Sequence, residues 1–269
     1  MIIIGEKING TIPSVKKAIA NRDEKFIRNR AIAQAEAGAD FIDACASVES
    51  ALEYDALKWL IEIIQEAVDT PICVDSPNEK LLKQIFEEGI VKRPGMLNSV
   101  NEEGEKCEII FPLIAGTEWE VVGLTCDTDG IPMDVDKKVD IAKKMIDKAV
   151  KYGVDLKKFH IDPCVMALST SATAMLDFED AITKIKHYAP DVKITGAISN
   201  ISFDMPVRKL INNSCMILSI RAGLDSGILD PLDRELIGTI HAAEALAGID
   251  KSGRKYNRAY RAGKIGPKK

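Results

Sequence analysis

Histidine is scarce in this chain. His160, His187 and His241 are the only three among 269 residues, and they show no metal-ligand spacing, so no metal of the protein's own is expected. The six cysteines, Cys45, Cys73, Cys107, Cys126, Cys164 and Cys215, include no C-x-x-C pair. That pattern excludes a disulfide framework and fits free thiols in a reducing cytoplasm. Long hydrophobic runs are also missing: none reaches the roughly 18 residues that a membrane span needs. The opening Met1-Ile2-Ile3-Ile4 is too short for a signal-peptide core and has no basic residues before it, so it reads as a strand. There is no linker rich in proline, glycine or serine, and no internal repeat. Hydrophobic residues make up 46% and charged residues 29%, the composition of an ordinary soluble globular domain.

Charge is unevenly spread. The net value of −5 divides into +8 over residues 251–269, which hold no Asp or Glu, and −13 over residues 1–250. We therefore expect one domain over 1–250 and a basic C-terminal tail over 251–269. Such a tail is either solvated or touches phosphate or an acidic partner. Neither a nucleic acid nor a membrane is expected as a partner.

Short apolar runs alternate with longer amphipathic stretches. The runs begin at Met1–Gly5, Asp40–Asp43, Pro71–Asp75 and Gly95–Asn98, and continue at Glu120–Leu124, Phe159–Asp162, Lys193–Ile198 and Leu224–Leu229. Between them, Leu57, Leu60, Ile61, Ile64 and Val68 form one helical stripe, and Val139, Ala142, Met145, Ile146 and Ala149 form another. Ala181, Ile182 and Ile185 mark a shorter one. Continuous apolar runs are the mark of parallel strands buried on both faces. Eight βα units in a chain of this length predict a single α/β domain, a (β/α)8 TIM barrel, with its site at the C-terminal ends of the strands.

Polar residues follow each run. They are Glu6-Lys7-Ile8-Asn9-Gly10, Asp75-Ser76, Asn98-Ser99, Asp162-Pro163 and Ser199-Asn200. In a barrel these converge on one mouth, which gives carboxylates and carboxamides without an evident acid–base histidine or thiol nucleophile. A 2-amino-4-oxopyrimidine ring suits that set. Its amine and neighbouring ring N–H offer a carboxylate two parallel donors, and an Asn side chain both donates and accepts along the remaining edge. The same residue types also cap helices and form turns, so any one position alone is weak.

The motifs Ile3-Ile4-Gly5-Glu6-Lys7-Ile8-Asn9-Gly10, Cys73-Val74-Asp75-Ser76, Asn98-Ser99-Val100-Asn101, Phe111-Pro112-Leu113, Gly123-Leu124-Thr125, Gly130-Ile131-Pro132, Ile161-Asp162-Pro163 and Ser199-Asn200-Ile201-Ser202 occur in this order. With them, the chain up to about Ala247 resembles the methyltetrahydrofolate:corrinoid protein methyltransferases. These are a branch of the pterin-binding barrel superfamily that includes dihydropteroate synthase. The resemblance implies that Asp75, Asn98 and Asp162 hold the pterin, that Glu6, Asn9, Ser199 and Arg208 line its site, and that Asn200 lies near N5 and assists transfer. The implied reaction is an SN2 displacement between the N5-methyl group of methyltetrahydrofolate and the cobalt of cobalamin. The resemblance also implies a corrinoid carried by a separate partner protein and a homodimeric enzyme. Relatives serve acetogenic one-carbon metabolism or the demethylation of methylated amines such as glycine betaine. The stretch Ile201-Ser202-Phe203-Asp204-Met205-Pro206-Val207 departs from the more polar, amide-bearing loop of the acetogen enzymes, while Arg208 is retained.

Two other readings compete. A dihydropteroate synthase-like enzyme would carry a Ser-Arg-Lys-type stretch after strand seven and Arg-x-His near strand eight. Here those places read Ser199-Asn200-Ile201-Ser202 and Leu229-Asp230-Pro231-Leu232. A non-catalytic folate-binding barrel would have no use for Asn200. If the basic tail is not simply solvated, its expected partner is the acidic corrinoid protein or the folate glutamates.

Overall fold

The computed structural model describes residues 1–267. β1 (Ile2–Asn9) leads through α1 (Pro13–Ala20) and α2 (Glu24–Ala37) to β2 (Phe41–Cys45), α3 (Ser50–Ala67) and β3 (Ile72–Asp75). Then follow α4 (Glu79–Glu87), β4 (Met96–Glu102), α5 (Lys106–Ile114), β5 (Glu120–Asp127), α6 (Val135–Tyr152) and β6 (Phe159–Asp162). The chain continues with α7 (Ala174–Tyr188), β7 (Lys193–Ile194), α8 (Arg208–Ala222), β8 (Ser226–Leu229), α9 (Arg234–Leu246) and α10 (Arg254–Arg261). All strand pairs are parallel, in the order β7-β6-β5-β4-β3-β2-β1-β8. The barrel closes between its two end strands by backbone bonds: Asp225 N donates to Ile194 O at 2.9 Å and Ile228 N to Gly196 O at 3.1 Å. The architecture is the expected (β/α)8 barrel.

Apolar burial is divided in two. Ile4, Phe41, Cys73, Met96 and Val122 fill the inside of the barrel, and a larger cluster lies between the strands and the helices. The outer cluster takes up most of the three helical stripes read from sequence, including Leu57, Leu60, Ile61, Ile64, Val139, Ala142, Met145, Ile182 and Ile185. Helix starts are set by side chains that satisfy free backbone N–H groups. Asp23 accepts from Phe26 N, Asn78 from Lys80 N and Leu81 N, and Asp134 from Lys137 N. His160 is a structural residue inside the barrel. It is fully buried, with Nδ1 2.7 Å from Ser226 Oγ and Nε2 2.5 Å from Glu120 Oε2, and so it ties β5, β6 and β8 together.

Four strands differ from expectation: β4 runs on to Glu102 and β5 to Asp127. β1 runs on to Asn9, because after an irregularity Ile8 and Asn9 pair again with Ala44 and Cys45. β7 ladders only over Lys193–Ile194, although Thr195 N still donates to Ile161 O at 2.8 Å. The basic segment folds back onto the barrel. Asp250 accepts from Lys255 N and Tyr256 N, both at 3.0 Å, and this starts α10; Ala259 and Ile265 are buried. Arg234 then holds Gly263 O at 2.6 Å and Gly266 O at 3.1 Å. The segment lies beside Met1, Ile3 and Asp40, at the N-terminal ends of β1 and β2. That is the end of the barrel away from the mouth, so this segment does not reach glutamates of a folate bound at the mouth. Lys268 and Lys269, the last residues of the expected tail, lie outside the described residues.

Candidate active site

The rungs of β2, β3 and β4 set the first group. Asp43 is in register with Cys73, Cys45 with Asp75, and Asp75 with Asn98. Asn98 is buried and Asp75 half-buried at the mouth. Burial pushes Asp75 up to about 6, opposed by the Cys45 thiol and reinforced by Glu53. Glu53 is itself held by Ser76, whose Oγ donates to Glu53 Oε1 at 2.6 Å. Asp43, one rung deeper, is a site residue that the sequence reading did not single out. It is only 1% exposed, and its Oδ1 has no hydrogen-bond partner. Burial, then the charge of Asp75, holds its carboxyl well above the usual range, against the opposing pull of Cys73 and Asn98. Its signal in the sequence was a lone acid inside the apolar run Phe41-Ile42-Asp43-Ala44.

Asp162 stands further round the barrel, beside Leu124 of β5. Its Oδ1 accepts from Cys164 N at 2.7 Å. Burial raises it to about 6, and the Cys164 amide, Lys138 and the Ala197 amide favour its charged form. Lys138, a second residue not foreseen, comes in from α6. It is 2% exposed, and its Nζ donates to Cys164 O at 2.7 Å, which fixes the loop after β6.

The turn after β7 carries the third group. Ile198–Ser202 form a 3-10 turn on which Asn200 is exposed. Asn200 uses its backbone, accepting from Phe203 N at 3.1 Å, while its carboxamide enters no hydrogen bond among the described residues. Arg208 clamps the turn: Nε donates to Ser202 Oγ at 2.9 Å and Nη2 to Ser199 O at 2.8 Å. Arg208 and Ser199 thus position the turn that presents Asn200. Between the turn and α8, Asp204 and Val207 take positive φ of 59° and 51°. For a β-branched residue such as Val207 this backbone is strained, at a cost of about 1–3 kcal/mol, and such strain gathers at functional loops.

The remaining expected residues divide. Glu6 shares a cavity of about 80 Å³ with Ser199, Asn212 and Asp230. Burial lifts Glu6 to about 7, opposed by Lys7, increased by Asp230 and opposed again by Arg208. Asn9 spends its side-chain oxygen locally, accepting from Thr11 N at 2.9 Å and Thr11 Oγ1 at 2.7 Å, which is a turn role. Close approach there requires Gly10: a Cβ would lie 1.9 Å from Ala46 O.

Buried carboxyls and a carboxamide stand at one barrel mouth, and the comparisons with known proteins give the class of protein that carries them. The chain belongs to the pterin binding enzyme family, whose sequence model matches residues 5–230. It is 51% identical over 269 residues to a methylcorrinoid:tetrahydrofolate methyltransferase of Eubacterium limosum, covering 99% of this chain and 98% of that protein. A methionine synthase of Mycobacterium tuberculosis is 30% identical over 242 residues, and the match takes in 85% of this chain but only 20% of that much longer protein. Among solved structures, the dihydropteroate synthase of Xanthomonas albilineans superposes with a TM-score of 0.64 at 16% identity over 93% of each chain. That of Vibrio fischeri gives 0.65 at 15% identity, over 93% of this chain and 94% of its own. Likeness at that identity establishes the shared barrel and nothing more.

Proposed function

We propose that this protein transfers a methyl group between the cobalt of a separate corrinoid protein and N5 of tetrahydrofolate. The observation that carries the reading is a division of labour at one mouth. A buried carboxyl–carboxamide rung, Asp75 and Asn98, accompanies Asp162, while the exposed carboxamide of Asn200 is left unspent above them. The near full-length relative is named for the direction from methylcorrinoid to tetrahydrofolate, and we adopt that direction.

In this reading Asp75, Asn98 and Asp162 hold the pterin edge, and Asp43 supports the rung from below. Folate N5 attacks the methyl carbon as the cobalt–carbon bond breaks, the bonding pair stays with the corrinoid, which leaves as cob(I), and the N5 proton goes to solvent. The Asn200 side-chain oxygen accepts that N5–H during attack. In the reverse direction its amide donates to N5 as the C–N bond breaks, and solvent delivers the proton that N5 takes up as it leaves. Asn does not ionise, so it is no general acid. It accelerates the reaction by interacting more strongly in the transition state than in the ground state.

The corrinoid partner covers the mouth. Loops on that face expose Ile131, Met133, Phe203 and Val207 at 51%, 52%, 58% and 73%, and exposed apolar loops around a site favour a protein partner. We further read the enzyme as a cytoplasmic homodimer serving one-carbon metabolism or the demethylation of a methylated amine.

The test is anaerobic mixing of the purified protein with methyltetrahydrofolate and free cob(I)alamin, followed by the cobalt absorbance spectrum. Enzyme-dependent formation of methylcobalamin is expected. Failure to bind folate at all would overturn the assignment of the site.

A further inference from the structure

Lys138 comes from α6, outside the barrel wall, and is only 2% exposed. Its one hydrogen bond among the described residues runs from Nζ to Cys164 O at 2.7 Å, and no carboxylate oxygen stands within ion-pair distance of it. A neutral donor would satisfy that carbonyl equally well, whereas a buried ammonium costs far more to take out of water. The charge therefore answers a charge nearby. Burial presses the ammonium below the usual lysine range, and three groups oppose it: Cys164, Asp162 at the end of β6, and Asp177 on α7. The thiol is no anion. Burial, then the charge of Asp162, holds Cys164 far above its usual range, with Cys126 of β5 adding to the rise and Thr125 opposing it. Asp177 is half-buried and already takes the Thr173 hydroxyl at 2.8 Å. Asp162 is buried and has no ion-pair partner among the described residues.

Cys164 joins the two charges. It takes a positive φ of 55°, uncommon for a residue with a side chain. In that conformation its N–H meets Asp162 Oδ1 at 2.7 Å while its C=O meets Lys138 Nζ, so carboxylate, backbone and ammonium stand in a row. We propose that Lys138 is a positioning residue for folate: it fixes Cys164 from behind, so that the Cys164 amide holds the Asp162 carboxylate in place, and it supplies the positive charge that this carboxylate faces. The inference rests on the reading of Asp162 as a holder of the pterin edge. Its consequence is a pH dependence. Without the ammonium, only the amides of Cys164 and Ala197 oppose the effect of burial on Asp162. The carboxyl then takes up its proton at higher pH, and folate loses an ionised partner sooner as pH falls.

The experiment compares Lys138→Met, which keeps the length and drops the charge, with Lys138→Arg, which keeps the charge. The first measurement is an NMR titration of ligand-free protein labelled at the aspartate carboxyl carbons, with Asp162→Asn to assign the resonance. The Asp162 midpoint should move up by roughly one pH unit in Lys138→Met, the low end of what a nearby opposite charge contributes, and return to the wild-type position in Lys138→Arg. The second is calorimetry with methyltetrahydrofolate. Its affinity for Lys138→Met should be about fivefold weaker than wild type at about pH 6 and equal to it at about pH 8.5. An unmoved Asp162 midpoint overturns the proposal. So does a loss of affinity that is the same at both pH values, or a Lys138→Arg protein that behaves like Lys138→Met. If the wild-type protein binds no methyltetrahydrofolate, the reading of the mouth falls, while the Asp162 titration, which needs no folate, still decides the role of Lys138. Melting temperatures check that each variant is folded, and Lys138→Gln carries the same measurements should Lys138→Met not fold.

Discussion

Asn200 and Asp162 act on different parts of the proposed reaction, and substitution separates them. Asn200 is exposed and, among the described residues, held only through its backbone, so Asn200→Ala removes the proposed partner of N5 without leaving a buried group unsatisfied. Methyl transfer should slow by roughly 10²-fold, the scale of losing one preorganised hydrogen-bonding group, while the folate Kd stays nearly unchanged. Asp162 is buried. Asp162→Asn weakens charge-assisted hydrogen bonding, and the folate Kd should rise about tenfold or more. Stopped-flow transfer rates and calorimetric Kd values together decide the matter, and the reverse pattern would refute these roles. Most of the site was legible as polar residues after apolar runs. Asp43 and Lys138 were not. Asp43 points inward one rung below the mouth, and Lys138 arrives from a helix, so neither occupies the strand-end position that marked the others.

Among the elements, the eight strands were readable because apolar runs report burial on both faces. Their ends were not, because pairing partners decide where a ladder stops: Ala44 and Cys45 extend β1, and the turn bearing Asn200 cuts β7 short. The loop between that turn and α8 carries Phe203 outward. If it is a docking surface, Phe203→Ser should raise KM for the corrinoid protein several-fold and leave transfer to free cob(I)alamin unaltered; equal effects on both would remove the loop from the interface. The basic segment was misjudged from composition because its anchors are few. Ile265 is 4% exposed and packs at the edge of the core. Ile265→Ala should destabilise the protein by about 2 kcal/mol, the low end for such a truncation, and lower Tm by roughly 4–8 °C. An unchanged Tm would mean that the segment contributes nothing to the fold.

Across the whole molecule, burial raises Glu6 to about 7 and Asp75 and Asp162 to about 6, from ordinary values of 4.5 and 3.8. Each therefore stabilises the fold while protonated. That contribution is full below about pH 4 and is lost as pH rises through 6 and 7. The ligand-free protein should lose Tm from this source between pH 4 and 7, and Asp75→Asn should flatten the decline; an identical profile in the variant would contradict it. In the proposed reading folate binding calls on ionised Asp162, so affinity should rise with pH through about 6, with proton release on binding in that window. Calorimetry in buffers of different ionisation enthalpy measures both.

The closure between β7 and β8 rests on two backbone bonds, to which Asp225 Oδ2 adds one from Ile194 N at 2.8 Å and Ser226 Oγ one to Ile194 O at 3.4 Å. The Asn200 turn follows directly from that join, whereas Asp75 and Asn98 sit in continuous ladder across β2, β3 and β4. In the proposed reaction the ring is therefore held by laddered strands, and the carboxamide that meets N5 is carried by a turn outside the ladder.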